Sequence, residues 1–234
     1  VGLPRSGTTL LERIITNNDQ VYSLGEDKTI LPLLLKFGCV YNDISHSDKQ
    51  DIHLEYRNIT KPDLSTRKRL RTLDKMPLNF MYLHQLINLI GGKVIHIYKN
   101  SKDAVWSNYK KSFAETGMAY TYNFEQMMEF HRKYRKYMQV AQELHLPILH
   151  VKYEDLICDP IRTVHKVSKY LDLELSHTSV DLIPEQYGSR TASNLQVRGA
   201  ISKKYIGQWL KYSNFLPSKF LQLEDLNLLD SMEF

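Results

Sequence analysis

The first ten residues, Val1-Gly2-Leu3-Pro4-Arg5-Ser6-Gly7-Thr8-Thr9-Leu10, carry the spacing of a phosphate-binding loop without its lysine. Four residues separate Gly2 from Gly7, and Thr9 takes the Ser/Thr slot. Thr8 stands where a nucleoside triphosphatase has Lys. Leu10, Leu11, Ile14 and Ile15 form a helical apolar stripe behind the loop. Arg5, Ser6, Gly7, Thr8 and Thr9 are therefore expected at a helix N-terminus, where N–H groups and the helix dipole favour an anion. Arg5 adds a planar cation inside the loop. The chemistry is a grip on phosphate or sulfate that dispenses with the lysine and metal of a triphosphatase. A second anion pocket is suggested by Lys99, at the end of an apolar run, with Ser107 and Lys111 four apart on the following helix and so on one face.

Alternating strands and helices must position these groups. Residues 1–3 read as a strand end, 8–17 as a helix, and 21–24 as a short extended piece ending at Gly25-Glu26-Asp27. Residues 79–90 read as a helix stopped by Gly91-Gly92, and 93–98 as a buried strand. Asn100 or Ser101 caps a helix running to about Phe113. Residues 124–144 form a long helix whose Met127, Tyr134, Met138 and Ala141 make a core stripe. Residues 148–153 form a strand, Asp159-Pro160 opens a helix through Leu171, and 202–212 form a late helix. The alternation predicts an α/β fold of P-loop-like, three-layer type, with a central parallel sheet flanked by helices. Ligands in such sheets gather at the carboxyl ends of the strands, where both anion motifs fall. Residues 41–66 are polar with weak periodicity and read as a variable, specificity-setting region.

Composition narrows the class without deciding it. The 234 residues suffice for one large domain, here expected to span 1–234 and to be cut from a longer chain. Charged residues make up 24% and hydrophobic ones 42%, which argues against disorder. A net charge of +5 suits an anionic ligand, and suits nucleic acid nearly as well. The basic stretch Arg67-Lys68-Arg69-Leu70-Arg71 reads most simply as a solvated helix face, so no nucleic-acid partner is expected. Cys39 and Cys158 are far apart and match no metal spacing, as in a reduced intracellular protein, with one disulfide as the alternative. No apolar run is long enough to span a bilayer. The expected location is cytoplasmic, or the Golgi lumen if an anchor lies outside this chain.

With further segments added, the sequence resembles the sulfotransferases that use 3′-phosphoadenosine 5′-phosphosulfate (PAPS). The segments are Pro4-Arg5-Ser6-Gly7-Thr8-Thr9, Gly25-Glu26, Asp74-Lys75-Met76-Pro77-Leu78-Asn79-Phe80, Ile97-Tyr98-Lys99-Asn100-Ser101-Lys102-Asp103, Tyr153-Glu154-Asp155-Leu156, Thr191-Ala192-Ser193-Asn194-Leu195-Gln196-Val197-Arg198 and Gly207-Gln208-Trp209. The resemblance is strongest to the tetratricopeptide-linked bacterial sulfotransferases, with protein-tyrosine sulfotransferases as cousins.

The resemblance implies that Arg5 through Thr9 hold the 5′-phosphosulfate, and that Lys99 and Ser107 hold the 3′-phosphate. Lys111, Tyr153, Ser193 and Arg198 match further cofactor contacts. Lys99 replaces the family's Arg and loses its two-pronged geometry. Gln208 stands where a cation often precedes Trp209. Arg5 and Lys75 would stabilise the leaving group, with PAP as product and no metal expected. Glu26 would take the proton of a hydroxyl-bearing acceptor, be it a peptide tyrosine, a glycan or a small molecule. Asp27 is the alternative base, because the tyrosine enzymes carry two acidic residues here. Two other readings stay open: a degenerate domain that binds nucleotide or a partner without turnover, and a P-loop kinase or NTPase. The acceptor and the oligomeric state are not legible.

Overall fold

The computed structural model describes residues 1–39, 46–60, 71–111, 117–175, 202–226 and 228. Its elements follow in order: α1 (Thr8–Thr16), β1 (Val21–Gly25), α2 (Ile30–Lys36), α3 (His46–Thr60), β2 (Arg71–Asp74), a 3₁₀ turn (Pro77–Tyr82), α4 (Leu83–Asn88), β3 (Val94–Tyr98) and α5 (Ser101–Tyr109). A second 3₁₀ turn (Ala119–Tyr122) leads to α6 (Phe124–Glu143), β4 (Ile148–Lys152), α7 (Tyr153–Cys158) and α8 (Pro160–Leu171). Two more 3₁₀ turns (Lys203–Tyr205 and Gln208–Phe215) and α9 (Ser218–Leu221) complete the described chain.

All strand pairing among the described residues is parallel, in two pairs rather than one continuous sheet. In the β1–β2 pair Val21 faces Arg71 and Gly25 faces Asp74, with a register shift between Ser23 and Gly25. In the β3–β4 pair Val94 faces Ile148 and Tyr98 faces Lys152. Parallel partners end at the same level, so the residues leaving each pair emerge side by side. Glu26 is thereby delivered next to Lys75, and Lys99 next to Tyr153. Residues 1–3 run beside β3: the Val1 amino group donates to the Ile95 carbonyl at 2.8 Å, and Ile97 N–H donates to the Val1 carbonyl at 3.0 Å. A cavity of about 510 Å³ separates the two pairs, lined by Leu11, Ile15, Leu73 and Val94 among others.

Helices cover both faces. Leu10, Leu11, Ile14 and Ile15 of α1 pack with Leu156, Val164 and Val167 of α7 and α8 against Ile97, Leu149 and Val151. On the other face Leu83 and α6's Tyr134, Met138 and Ala141 pack on Val94 and Ile148. The α6 stripe is core, as its spacing predicts. Each such side chain contributes about 1.5–3 kcal/mol on burial, and the α1 stripe holds that helix against the β3–β4 pair. Helices α2 and α3 form a separate apolar cluster from Ile30, Leu33, Leu34, Ile52 and Tyr56.

Local chemistry sets the helix ends. Asn100, Asn123 and Asp159 cap α5, α6 and α8 by accepting the N–H of Asp103, Gln126 and Arg162. Residues 41–66 contain α3 up to Thr60; the rest of that segment lies outside the described residues. Most of the basic stretch at 67–71 does too, and Arg71 itself begins β2 rather than lying on a helix. Cys39 is buried and Cys158 exposed, and they are not joined.

The core also holds ionisable side chains as neutral groups. His96 is fully buried; its Nδ1 meets His150 Nδ1 at 2.9 Å and its Nε2 meets the Tyr134 hydroxyl. It is structural. His131 is buried on α6, and burial, followed by the Arg135 charge, lowers its pKa to about 4. Above pH 6.5 its ring is neutral whether folded or not. As pH falls from 6.5 towards 4, the unfolded chain binds a proton that the folded chain refuses. Folding stability therefore drops by about 1.4 kcal/mol per pH unit from this residue, about 3 kcal/mol across the window. His131→Leu should show a correspondingly shallower acid loss than the wild type in denaturant titrations at pH 7 and pH 4.5. Parallel losses would show that His131 takes up its proton in the fold.

Candidate active site

The phosphate loop sits where residues 1–3 turn into α1. Gly2 is required by contact: a Cβ there would stand 2.2 Å from the Ile97 carbonyl oxygen. Gly7 is required twice over. Its φ of 100° is left-handed, and a Cβ would meet the Tyr153 ring at 2.5 Å. Arg5 also has positive φ, 68°, a conformation that costs an L-residue about 1–2 kcal/mol and aims its side chain away from the regular path. Asn108 of α5 steadies the loop by donating to the Pro4 carbonyl at 2.7 Å. No side chain caps the start of α1. Ser6, Thr8 and Thr9 are buried, and the Ser6 hydroxyl is buried with no hydrogen-bond partner. An uncapped nine-residue helix start with an orphaned hydroxyl and an arginine beside it has the donor set for a tetrahedral anion.

On the β1–β2 side, Lys75 is buried and donates to Glu26 Oε1 at 2.6 Å. Its backbone N–H donates to the Gly25 carbonyl at 2.9 Å, which locks the two strand ends together. Asp74 shapes this turn: one oxygen accepts Met76 N–H and the other the Asn79 side chain, each at 3.0 Å. Burial raises the Asp74 pKa to about 6 despite those bonds. A second acid, Glu12 on α1, comes within 3.6 Å of Lys75 Nζ. The sequence motifs gave no sign of it, because its partners lie on other elements. Asp27 accepts Thr29 N–H on Oδ1 at 2.8 Å, and its charge adds to the rise in the Asp74 pKa. It borders a groove of about 450 Å³ between α2 and α3, lined also by Lys28, Leu33, Lys36, Glu55 and Ile59.

On the β3–β4 side, Lys99 is buried and lies 4.8 Å from the centre of the Tyr153 ring. Its ammonium donates to the Tyr205 carbonyl at 2.9 Å. Burial, opposed by Asp103 and Glu154 and aided by Arg5 and Lys110, pushes its pKa down. Burial likewise works against the Arg5 charge, and pushes the Tyr153 phenol up to about 12. Three cations thus converge on one side of the loop, a field that favours an incoming anion.

The expected helix face for Ser107 and Lys111 needs correction. Helix α5 ends at Tyr109 with Lys110 as its C-cap, so Lys111 lies past the helix. The reason is local: after Asn108 the sequence Tyr-Lys-Lys offers no further buried position to extend the stripe. Ser107 is on α5 and half-buried. Lys110, the residue before Lys111, carries a charge that lowers the Lys99 pKa and is itself opposed by the Arg5 charge. Its ammonium donates to Gln208 Oε1 at 2.8 Å. Gln208 N–H and Gly207 N–H in turn donate to Asp103, at 3.1 and 2.7 Å. Ser193 and Arg198 lie outside the described residues.

A sequence profile described as "Sulfotransferase family" matches residues 1–177. The chain belongs to the sulfotransferase family. A protein of Aquifex aeolicus (strain VF5), named only as uncharacterized, is 24% identical over 233 residues, covering 92% of this chain and 30% of that protein. Human Sulfotransferase 4A1 is 26% identical over 199 residues, 79% of this chain and 63% of that protein. The chain thus spans less than two thirds of either relative. Two solved sulfotransferase domains share the fold. The domain from the Synechococcus PCC 7002 olefin synthase has a TM-score of 0.54 at 18% identity, over 89% of this chain and 85% of that one. The domain from the curacin biosynthetic pathway has a TM-score of 0.61 at 15% identity, over 94% and 93%. The fold class is therefore the P-loop-like α/β fold of sulfotransferases. Among the described residues no group of three or more His, Cys, Asp or Glu side chains is placed to hold a metal ion. No helix among them is long and apolar enough to cross a membrane.

Proposed function

We propose that this sulfotransferase-family chain moves a sulfuryl group from PAPS to an acceptor hydroxyl by in-line displacement. The observation that carries the reading is the buried Lys75 held against Glu26 beside the phosphate loop. PAPS, when bound, supplies the activated sulfuryl group. The loop from Arg5 to Thr9 binds its 5′ end, with the orphaned Ser6 hydroxyl and the uncapped α1 start as donors. Lys99, Ser107 and Lys110 form the second anion site, with Lys111, Tyr153, Ser193 and Arg198 as further contacts that the family pattern suggests.

The chemistry needs charge stabilisation at one oxygen and proton removal at another. Lys75 and Arg5 neutralise the negative charge that grows on the bridging phosphate oxygen as its bond to sulfur breaks. Glu26 takes the proton of the acceptor hydroxyl as the new sulfur–oxygen bond forms. The Glu26–Lys75 ion pair stores both groups together and parts when each meets its reacting oxygen. Asp27, bonded to the backbone of Thr29, is less suited to that task. The groove that begins at Asp27 is the natural approach for an acceptor.

If the Lys99 side holds the 3′-phosphate, PAP should bind at least about tenfold more tightly than AMP in calorimetry. Equal affinities would remove the second anion site. Turnover itself is tested with labelled PAPS and a panel of phenolic, glycan and small alcohol acceptors. PAP binding without transfer would instead support a degenerate nucleotide-binding domain.

A further inference from the structure

Lys75 stands between two carboxylates that are not equivalent. Glu26 follows β1 on a loop, and 27% of its side chain is exposed. Glu12 lies mid-helix on α1 with its side chain 7% exposed. Its Oε1 accepts the Ser23 hydroxyl at 2.5 Å, and Ser23 Oγ accepts Gly25 N–H at 3.0 Å. Its Oε2 makes no hydrogen bond and faces the Lys75 ammonium at 3.6 Å. Glu12 is therefore fixed by the helix behind it and by β1 in front, whereas Glu26 is free to swing towards solvent.

A carboxylate on the inner stripe of α1, between Leu11 and Ile15, works against packing. It is tolerated there only because a charge meets it. That charge is Lys75, itself buried and costly to leave alone. When Glu26 accepts a proton it becomes neutral, and Lys75 loses its nearer counter-charge at the moment it must stay charged and in place. Glu12 is the carboxylate that remains.

We propose that Glu12 is a positioning residue: the permanent counter-charge that keeps the Lys75 ammonium in place and aimed while Glu26 leaves to take the acceptor proton. Ser23 holds Glu12 in that role and ties it to Gly25, the residue before Glu26. The inference rests on the reading that Lys75 and Glu26 act in sulfuryl transfer.

Two measurements on the full chain test it. In the first, Glu12→Gln should lower kcat about tenfold or more with KM for PAPS nearly unchanged, and Glu12→Asp should recover part of the loss. In a Lys75→Ala background, Glu12→Gln should cost less than about twofold further, because its effect runs through Lys75. In the second, denaturant midpoints are compared for Glu12→Gln, Lys75→Met and the double variant. Lys75→Met leaves two carboxylates without their cation, so the double variant should unfold at a higher denaturant concentration than Lys75→Met alone. Multiplying losses in kcat, or a double variant less stable than either single one, would overturn the role given to Glu12. A wild type that transfers no sulfuryl group would overturn the catalytic reading, and the stability cycle would then report on the Glu12–Lys75 pairing by itself.

Discussion

Lys75→Ala is expected to lower kcat by about a hundredfold or more while PAP affinity stays within a few-fold of wild type. A hundredfold corresponds to about 2.7 kcal/mol of transition-state stabilisation, the size of effect that one preorganised donor supplies in a water-excluded site. Lys75 qualifies on both counts: it is buried, and its position is set by the Gly25 carbonyl, Glu26 and Glu12. Its charge is balanced in the resting protein, so removing it should weaken product binding little. Removal also leaves two carboxylates facing each other across the gap, so unfolding must be followed alongside turnover. A variant that stays folded, loses PAP binding and keeps its turnover number at saturation would contradict the role.

Glu26→Gln should cost about a hundredfold or more in kcat with PAP still bound, because the amide keeps the shape and cannot take a proton. Asp27→Asn should stay within a few-fold, since the asparagine oxygen can still accept Thr29 N–H. Both variants need assay on one acceptor at saturating PAPS. An inactive Asp27→Asn beside a nearly active Glu26→Gln would move the base to Asp27. If neither variant is impaired, the acceptor proton leaves by another route.

Much of the scaffold was legible because its periodicities are strong. The α6 stripe and the Asp159-Pro160 start of α8 appear where the sequence puts them. Other elements were hidden for physical reasons. Helix α2 contains Pro32, tolerated because it sits in the first turn, where no intrahelical N–H bond is lost. Helix α3 buries a stripe only one residue wide, Ile52, Tyr56 and Thr60, among polar neighbours. Strand β2 is four residues long, too short for alternation to register. The late helix is two 3₁₀ turns, broken where Gly207 turns left-handed with φ of 69°. The helix expected from residue 79 begins as the 3₁₀ turn Pro77–Tyr82.

The candidate site divides the same way. Arg5, Gly7, Glu26, Lys75 and Lys99 stand in local motifs, and strand register brings Glu26 beside Lys75 and Lys99 beside Tyr153. Glu12 and Lys110 do not, because their significance depends on Lys75, on Gln208 and on Arg5, each far away in sequence. A glutamate on an otherwise apolar helix stripe was the one available hint. The size and lining of the groove beside Asp27 depend on how α2 meets α3, which spacing alone does not encode.

The most direct test of the account is the fate of sulfur. The chain is incubated with PAPS carrying labelled sulfate and with hydroxyl acceptors, and products are resolved by mass spectrometry. Labelled sulfate ester is expected on an acceptor oxygen, formed one for one with PAP and at a rate lowered about a hundredfold or more by Lys75→Ala. PAP binding with no labelled ester on any phenolic, glycan or alcohol acceptor would contradict it.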